Sequence, residues 1–135
     1  MNRIAIFDSS ILIDQLRTGR HTHQLDSFHG IIRNSSVVLS ELWRGARSAA
    51  DKEFLRKFAK NHPILTPTEK NWLESGQILS RVADDHGFTA DKLRDLHFDV
   101  LIGLTARSYG ARVITTNRGD FELIKRYRGF DFEVW

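Results

Sequence analysis

Short unbroken apolar runs alternate along this chain with longer stretches in which apolar residues recur every three or four positions. The first kind predicts strands buried on both faces, as in a parallel sheet, and the second predicts amphipathic helices. Ile4-Ala5-Ile6-Phe7-Asp8 is the first predicted strand, closed by a carboxylate and followed by Ser9 and Ser10. Residues 10–17 predict a helix with Ile11, Leu12, Ile13 and Leu16 on its apolar side, stopped at Gly19. Residues 23–33 predict a second helix, with Leu25, Phe28, Ile31 and Ile32 inward. Val37-Val38-Leu39 reads as a second strand ending at Ser40-Glu41, and residues 42–46 as a short helix.

Further on, residues 51–61 are amphipathic through Phe54, Leu55 and Phe58, and Pro63-Ile64-Leu65 predicts a third strand. Thr66-Pro67-Thr68-Glu69 is a helix-start signal, with Pro67 near the first helical position and Glu69 closing a capping box. The helix from there to about residue 86 places Trp72, Gly76, Leu79 and Ala83 on one face. Residues 100–108 predict another helix with Asp99 near its start, Val113-Ile114-Thr115 a fourth strand, and residues 130–135 an edge strand. This alternation predicts an α/β fold, and 135 residues predict one domain spanning 1–135.

Composition narrows the class. A chain 41% hydrophobic and 27% charged is not disordered, and no apolar run approaches the roughly 18 residues of a membrane span. The first strand begins at once, which leaves no room for a signal peptide. The absence of cysteine excludes disulfides and thiolate metal sites and fits a cytoplasmic protein. Net charge is only +3, but residues 42–60 carry six basic against two acidic side chains, as do residues 107–128. Residues 84–99 between them carry five acids against Lys92 and Arg94. Basic zones around an acidic centre suit a phosphate-bearing partner, although solvated helix faces would leave the same pattern.

Four acids stand out by position. Asp8 closes the first strand, where the ligand crevice of an open α/β sheet lies. Glu41 follows Val37-Val38-Leu39-Ser40, Asp99 opens a predicted helix, and Asp120 lies just beyond Val113-Ile114-Thr115. Each alone reads equally well as a helix cap or a dipole partner. Together they predict one acidic cluster on one edge of one sheet. Carboxylates a few ångströms apart do not all stay ionised without a cation, and an all-oxygen set selects a hard ion, Mg²⁺ or Mn²⁺. Such a site points to metal-dependent hydrolysis of a phosphodiester.

Four blocks carry a family resemblance. They are Ile-x-Ile-Phe-Asp8-Ser-Ser, Ser40-Glu41-Leu-x-Arg-Gly, Phe98-Asp99-x-Leu-Ile-Gly-x-Thr-Ala and Val-Ile-Thr-Thr-Asn117-x-x-Asp120-Phe. In order and spacing they resemble the PIN-domain family, with a length and block spacing similar to the VapC toxins of bacterial toxin–antitoxin pairs. The resemblance implies a three-layer α/β/α sandwich with a central, mostly parallel sheet. It implies a Mg²⁺ or Mn²⁺ site built from Asp8, Glu41, Asp99 and a fourth position at Asp120 or Asn117, supported by Ser10, Thr116 and Asn117. It further implies endoribonuclease activity on RNA, a small cognate antitoxin and a homodimer. Phe98 departs from the family, which often has Asn there.

Other residues compete for roles. Arg44 lies one helical turn from Glu41 and suits a substrate phosphate or the acidic cluster itself, and Arg118 is a second candidate for substrate. Trp43 and Trp72 read as core residues. His21-x-His23 is a weak metal pair, and His97 reads as a solvated helix-end histidine beside the site. Apolar side chains at Ile11, Leu12, Leu16, Phe54, Leu55 and Phe58 exceed what one helix face needs and suit an antitoxin helix in a groove. The competing function is a PIN-like module that binds RNA or protein without cutting. A phospho-acceptor receiver domain is excluded, because it needs paired acids after the first strand and a lysine after the last.

Overall fold

The computed structural model describes residues 3–135; the expectation about a signal peptide falls on Met1 and Asn2, which lie outside that range. Five strands form one sheet: β1 (Ile4–Phe7), β2 (Ile31–Ser35), β3 (Ile64–Leu65), β4 (Ala111–Thr115) and β5 (Asp131–Val134). Their order is β3-β2-β1-β4-β5, and every pairing is parallel. The helices are α1 (Ser9–Thr18), α2 (Thr22–Asp26), α3 (Ser36–Gly45), α4 (Ala49–Asn61), α5 (Glu69–His86), α6 (Ala90–Ser108) and α7 (Arg118–Tyr127).

Parallel strands need crossovers, and right-handed crossovers assign helices to faces. From β1 the chain steps outward to β2 and β3, then returns across the sheet to β4 and β5. That reversal sends α1 to α4 to one face and α5 to α7 to the other. The packing agrees: α1 meets α3 and α3 meets α4, while α6 packs between α5 and α7 and against β4. Ile6, Val113, Leu101 and Phe121 are fully buried between these layers. Each such side chain contributes about 1.5–3 kcal/mol relative to exposure. The direction of travel changes between β1 and β4, so the crevice of the fold opens at the carboxyl ends of those two strands.

Several predicted elements differ. Residues 23–33 hold only the short α2, and then β2, because Ile31 and Ile32 pair with Ile4 and Ala5 of β1. Gly30 separates them, since a Cβ there would stand 2.6 Å from the Arg3 carbonyl oxygen. Val37-Val38-Leu39 is not a strand but the first turn of α3, set by Ser35, whose hydroxyl accepts from the Val38 N–H at 3.2 Å. The start of α5 lies two residues later than Thr66, with Thr68 as cap and Asn71, not Glu69, completing the capping box. Its inward face is Asn71, Ser75, Ile78 and Val82. Trp72 therefore stands 50% exposed, and Trp43, under the Arg56 guanidinium, 40% exposed; neither is core.

Candidate active site

Asp8 leaves the end of β1 and caps α1 at once. Its carboxylate accepts from the Ser9 N–H at 2.8 Å, the Ser10 hydroxyl at 2.9 Å and the Thr115 hydroxyl at 2.7 Å. Thr115 comes from the end of β4, so Asp8 bridges the two strands at the point where the chain reverses. The Ser10 hydroxyl also accepts from the Thr116 N–H at 3.1 Å, and the Thr115 hydroxyl from the Asn117 N–H at 2.9 Å. This mesh fixes both the carboxylate and the loop after β4. Burial nevertheless pushes Asp8 above the usual carboxylate range, with the donors pulling the other way.

Glu41 arrives from the second turn of α3, not from a strand end as its predicted element implied. The Ser9 hydroxyl lies 3.5 Å from it, at the limit of a hydrogen bond. Burial first, and the charge of Asp8 second, push its carboxyl up to about 7, opposed by Arg44 and Ser9. Asp99 sits in the middle of α6, not at a helix start, because the helix begins at Ala90. Its carboxyl is pushed up to about 8 by burial, then by the charges of Asp8, Glu41 and Asp120, with Lys92 pulling it down. Burial and like charge account for that value, with no hydrogen bond among its causes.

The fourth acid is held differently. Asp120 lies in the first turn of α7 and forms an ion pair with Lys92 at 3.1 Å. Its other carboxylate oxygen accepts from the Asn117 side-chain amide at 3.1 Å. Asn117 rather than Asp120 caps α7, with its amide oxygen taking the Asp120 N–H at 3.3 Å. Among the described residues, no group of three His, Asp or Glu side chains is drawn close enough to clasp an ion as it stands. The charges of Asp8, Glu41 and Asp120 all bear on Asp99 instead.

The remaining predicted residues divide. Ser10 joins the network; Thr116 gives it a backbone N–H, while the hydroxyl that reaches Asp8 belongs to Thr115. Arg44 is exposed, stacks over the Phe98 ring at 5.3 Å and bears electrostatically on Glu41. Arg118 is exposed and pairs with Glu122 along α7 at 3.2 Å. His97 is neither at a helix end nor turned to solvent: its Nε2 lies 3.0 Å from the Ser75 hydroxyl of α5, and burial lowers its pKa. His21 is buried beside Gln24 and Trp135, whereas His23 is exposed, so the two do not face one ion.

Two residues escaped the sequence reading. Thr115 looked like the last residue of a buried strand, and its hydroxyl gave no sign of its partner. Lys92 looked like one charge in an acidic stretch, yet it lies seven residues before Asp99. Two helical turns bring a side chain back to the same face, so the spacing held a usable signal.

The PIN domain family model matches residues 5–127. Solved structures agree on the fold. The VapBC2 complex of Rickettsia felis, bound to a DNA fragment from its promoter, superposes with a TM-score of 0.72 at 19% identity, covering 98% of each chain. DNA-bound VapBC from Salmonella typhimurium gives 0.71 at 24% identity, over 100% of this chain and 99% of that one. FitAcB from Neisseria gonorrhoeae gives 0.66 at 22% identity, over 95% of each chain. No curated protein sequence matches. With the family model spanning residues 5–127 and the chain folded around a five-stranded parallel sheet, this chain belongs to the PIN-domain family.

Proposed function

We propose that the chain is a Mg²⁺- or Mn²⁺-dependent endoribonuclease, acting as the toxin of a toxin–antitoxin pair. One observation carries the reading: Asp8, Glu41 and Asp99 are held above the ordinary carboxylate range by burial, with the charge of Asp8 adding to Glu41 and the charges of Asp8, Glu41 and Asp120 adding to Asp99. A donor set made only of carboxylate oxygens, in need of positive charge, fits a hard divalent ion. Asp8, Glu41 and Asp99 would hold it, with Asp120 or Asn117 at the fourth position. Bound there, the ion would supply Lewis acidity and an activated water for phosphodiester hydrolysis.

The chain's own residues prepare that chemistry. Thr115, Ser10 and the Ser9 N–H lock Asp8 in one orientation. Arg44 stands exposed beside Glu41, suited to a substrate phosphate, and Arg118, exposed on α7, is a second candidate. Membership of the PIN-domain family supports a nuclease, and the likeness to VapBC and FitAcB complexes supports a toxin with a small protein partner. A cleft between α1, α3 and α4 is lined by Ile13, Leu16, Leu42 and Leu55 and by the charged Arg17, Glu41 and Asp51. An antitoxin helix seated there would bring a basic side chain to the carboxylates, where an arginine excludes substrate. Among the described residues no helix is long and apolar enough to cross a membrane. The proposed working form is a cytoplasmic homodimer.

The pairing of Asp120 with Lys92 also suits a weak catalyst that binds RNA without cutting it. Incubation with a panel of structured RNAs separates the two readings. The nuclease cuts at least one RNA in Mg²⁺ or Mn²⁺, and neither in chelator nor as Asp8→Asn. Retained binding with no cleavage in any metal would leave the binding module. Expression alone should arrest a bacterial host, and co-expression with the neighbouring small open reading frame should relieve it.

A further inference from the structure

We infer that Lys92 is a built-in cation for the Asp120 side of the acidic site, so that the site takes one divalent ion, held by Asp8, Glu41 and Asp99, and not two. The inference rests on the metal-site reading above and decides its open fourth position.

Lys92 is poorly placed for helix stability alone. It is the third residue of α6, where Thr89 caps the helix by accepting the Lys92 N–H at 3.3 Å. The positive end of a helix favours an acid there and disfavours a lysine. Such local conflict between residue and position concentrates at functional sites. Two features offset it: the Asp120 carboxylate at 3.1 Å and the Phe88 ring, whose centroid lies 5.9 Å from the ammonium. The ammonium thereby sits on the Asp120 carboxylate, the acid of the fourth block.

The charges then divide unevenly. Asp120 is neutralised by Lys92, and both its oxygens are engaged, one by Lys92 and one by Asn117. Among the described residues, Asp8 has hydrogen-bond donors but no ion-pair partner, and the one cation bearing on Glu41 is Arg44, which is exposed and stacked on Phe98. A first divalent ion among Asp8, Glu41 and Asp99 therefore meets uncompensated negative charge. A second, on the Asp120 side, would meet an ammonium already seated there and be repelled by it. Lys92 acts as a positioning residue, through Asp120.

Mn²⁺ titration by calorimetry on the full chain tests this. Wild type should bind one ion, and Asp8→Asn should lose it. Lys92→Met, which keeps the length and removes the charge, should admit a second ion, and Lys92→Arg should return the count to one. Asp120→Asn should still bind one ion, with affinity changed by less than about tenfold, because Asp120 serves the lysine; losses of affinity of about 10–100-fold mark residues that support a ligand directly. A lysine that merely straps α6 to α7 would change melting temperature and leave the stoichiometry of Lys92→Met at one, which overturns the inference. So would two ions in wild type, or an Asp120→Asn protein that loses its ion as Asp8→Asn does. A wild type that binds no Mn²⁺ removes the metal site itself, and this inference with it.

Discussion

Asn34, buried, and Asp99, half-buried, are polar side chains of the same fold, and they are treated in opposite ways. Asn34, 2% exposed in β2, donates both amide hydrogens, to the Phe58 and His62 carbonyl oxygens, each at 2.9 Å. It ties the end of α4 to the sheet as a neutral, satisfied group. Asp99 is a carboxylate whose titration is governed by burial and by three other acids. A buried polar group without partners costs about 1–3 kcal/mol, and more when charged. Among the described residues the fold gives hydrogen bonds to Asn34, while charges and burial, not hydrogen bonds, act on Asp99. That contrast separates a structural corner from a site.

The largest test sets activity against stability. Asp99→Asn or Asp8→Asn should cut RNA cleavage by more than about 100-fold, because each removes a charged ligand and not merely its support. Turnover near wild type in either variant would erase the distinction between the two corners. Asn34→Ala should do the reverse. Stripping two buried carbonyls of their donor should cost about 2–4 kcal/mol in denaturant unfolding. Cleavage per folded molecule should stay unchanged.

A smaller effect is the pH dependence of the metal-free protein. An acid raised on folding keeps its proton in the native state at a pH where the unfolded chain has lost it. Stability therefore falls as pH rises from the ordinary carboxylate values of 3.8 and 4.5 through about 7 for Glu41 and about 8 for Asp99, and flattens above. Asp99→Asn should flatten that fall and melt higher than wild type near pH 8; identical slopes would mean that Asp99 is not raised. Smallest should be the graded pair. Asp120→Asn and Asn117→Ala should both retain measurable cleavage, with Asn117→Ala also losing part of the α7 cap, about 1 kcal/mol. A far greater loss of activity in Asn117→Ala than in Asp120→Asn would assign the fourth ligand to Asn117.

How the two corners reveal themselves in sequence differs too. Asp8 was legible because an apolar run that stops at a carboxylate marks a strand end, and the order of acids along the chain predicted the crevice. Glu41 reached that crevice although its element was misread. An apolar triplet such as Val37-Val38-Leu39 fits a strand or one helical turn equally, and the capping bond from Ser35 decides. The helix predicted over residues 23–33 failed for a similar reason. Its apolar spacing was genuine, but pairing of Ile31 and Ile32 with β1 outweighed local periodicity. Asn34 was illegible, since its partners lie 24 and 28 residues away and sequence does not show which carbonyls are left over. Lys92 was hidden by the same distance, 28 residues from Asp120.

The central claim is that the raised carboxylates form a cation site, and thermal melting with Mn²⁺ tests it most directly. A ligand that binds only the native state stabilises it by mass action, about 2.7 kcal/mol at a hundred times its dissociation constant. Protons compete for the same oxygens, so the rise in melting temperature should be larger near pH 8, where Asp99 ionises, than near pH 6. Asp8→Asn should abolish it. A wild-type melting temperature indifferent to millimolar Mn²⁺ at the higher pH, or an equal rise in Asp8→Asn, would contradict the account.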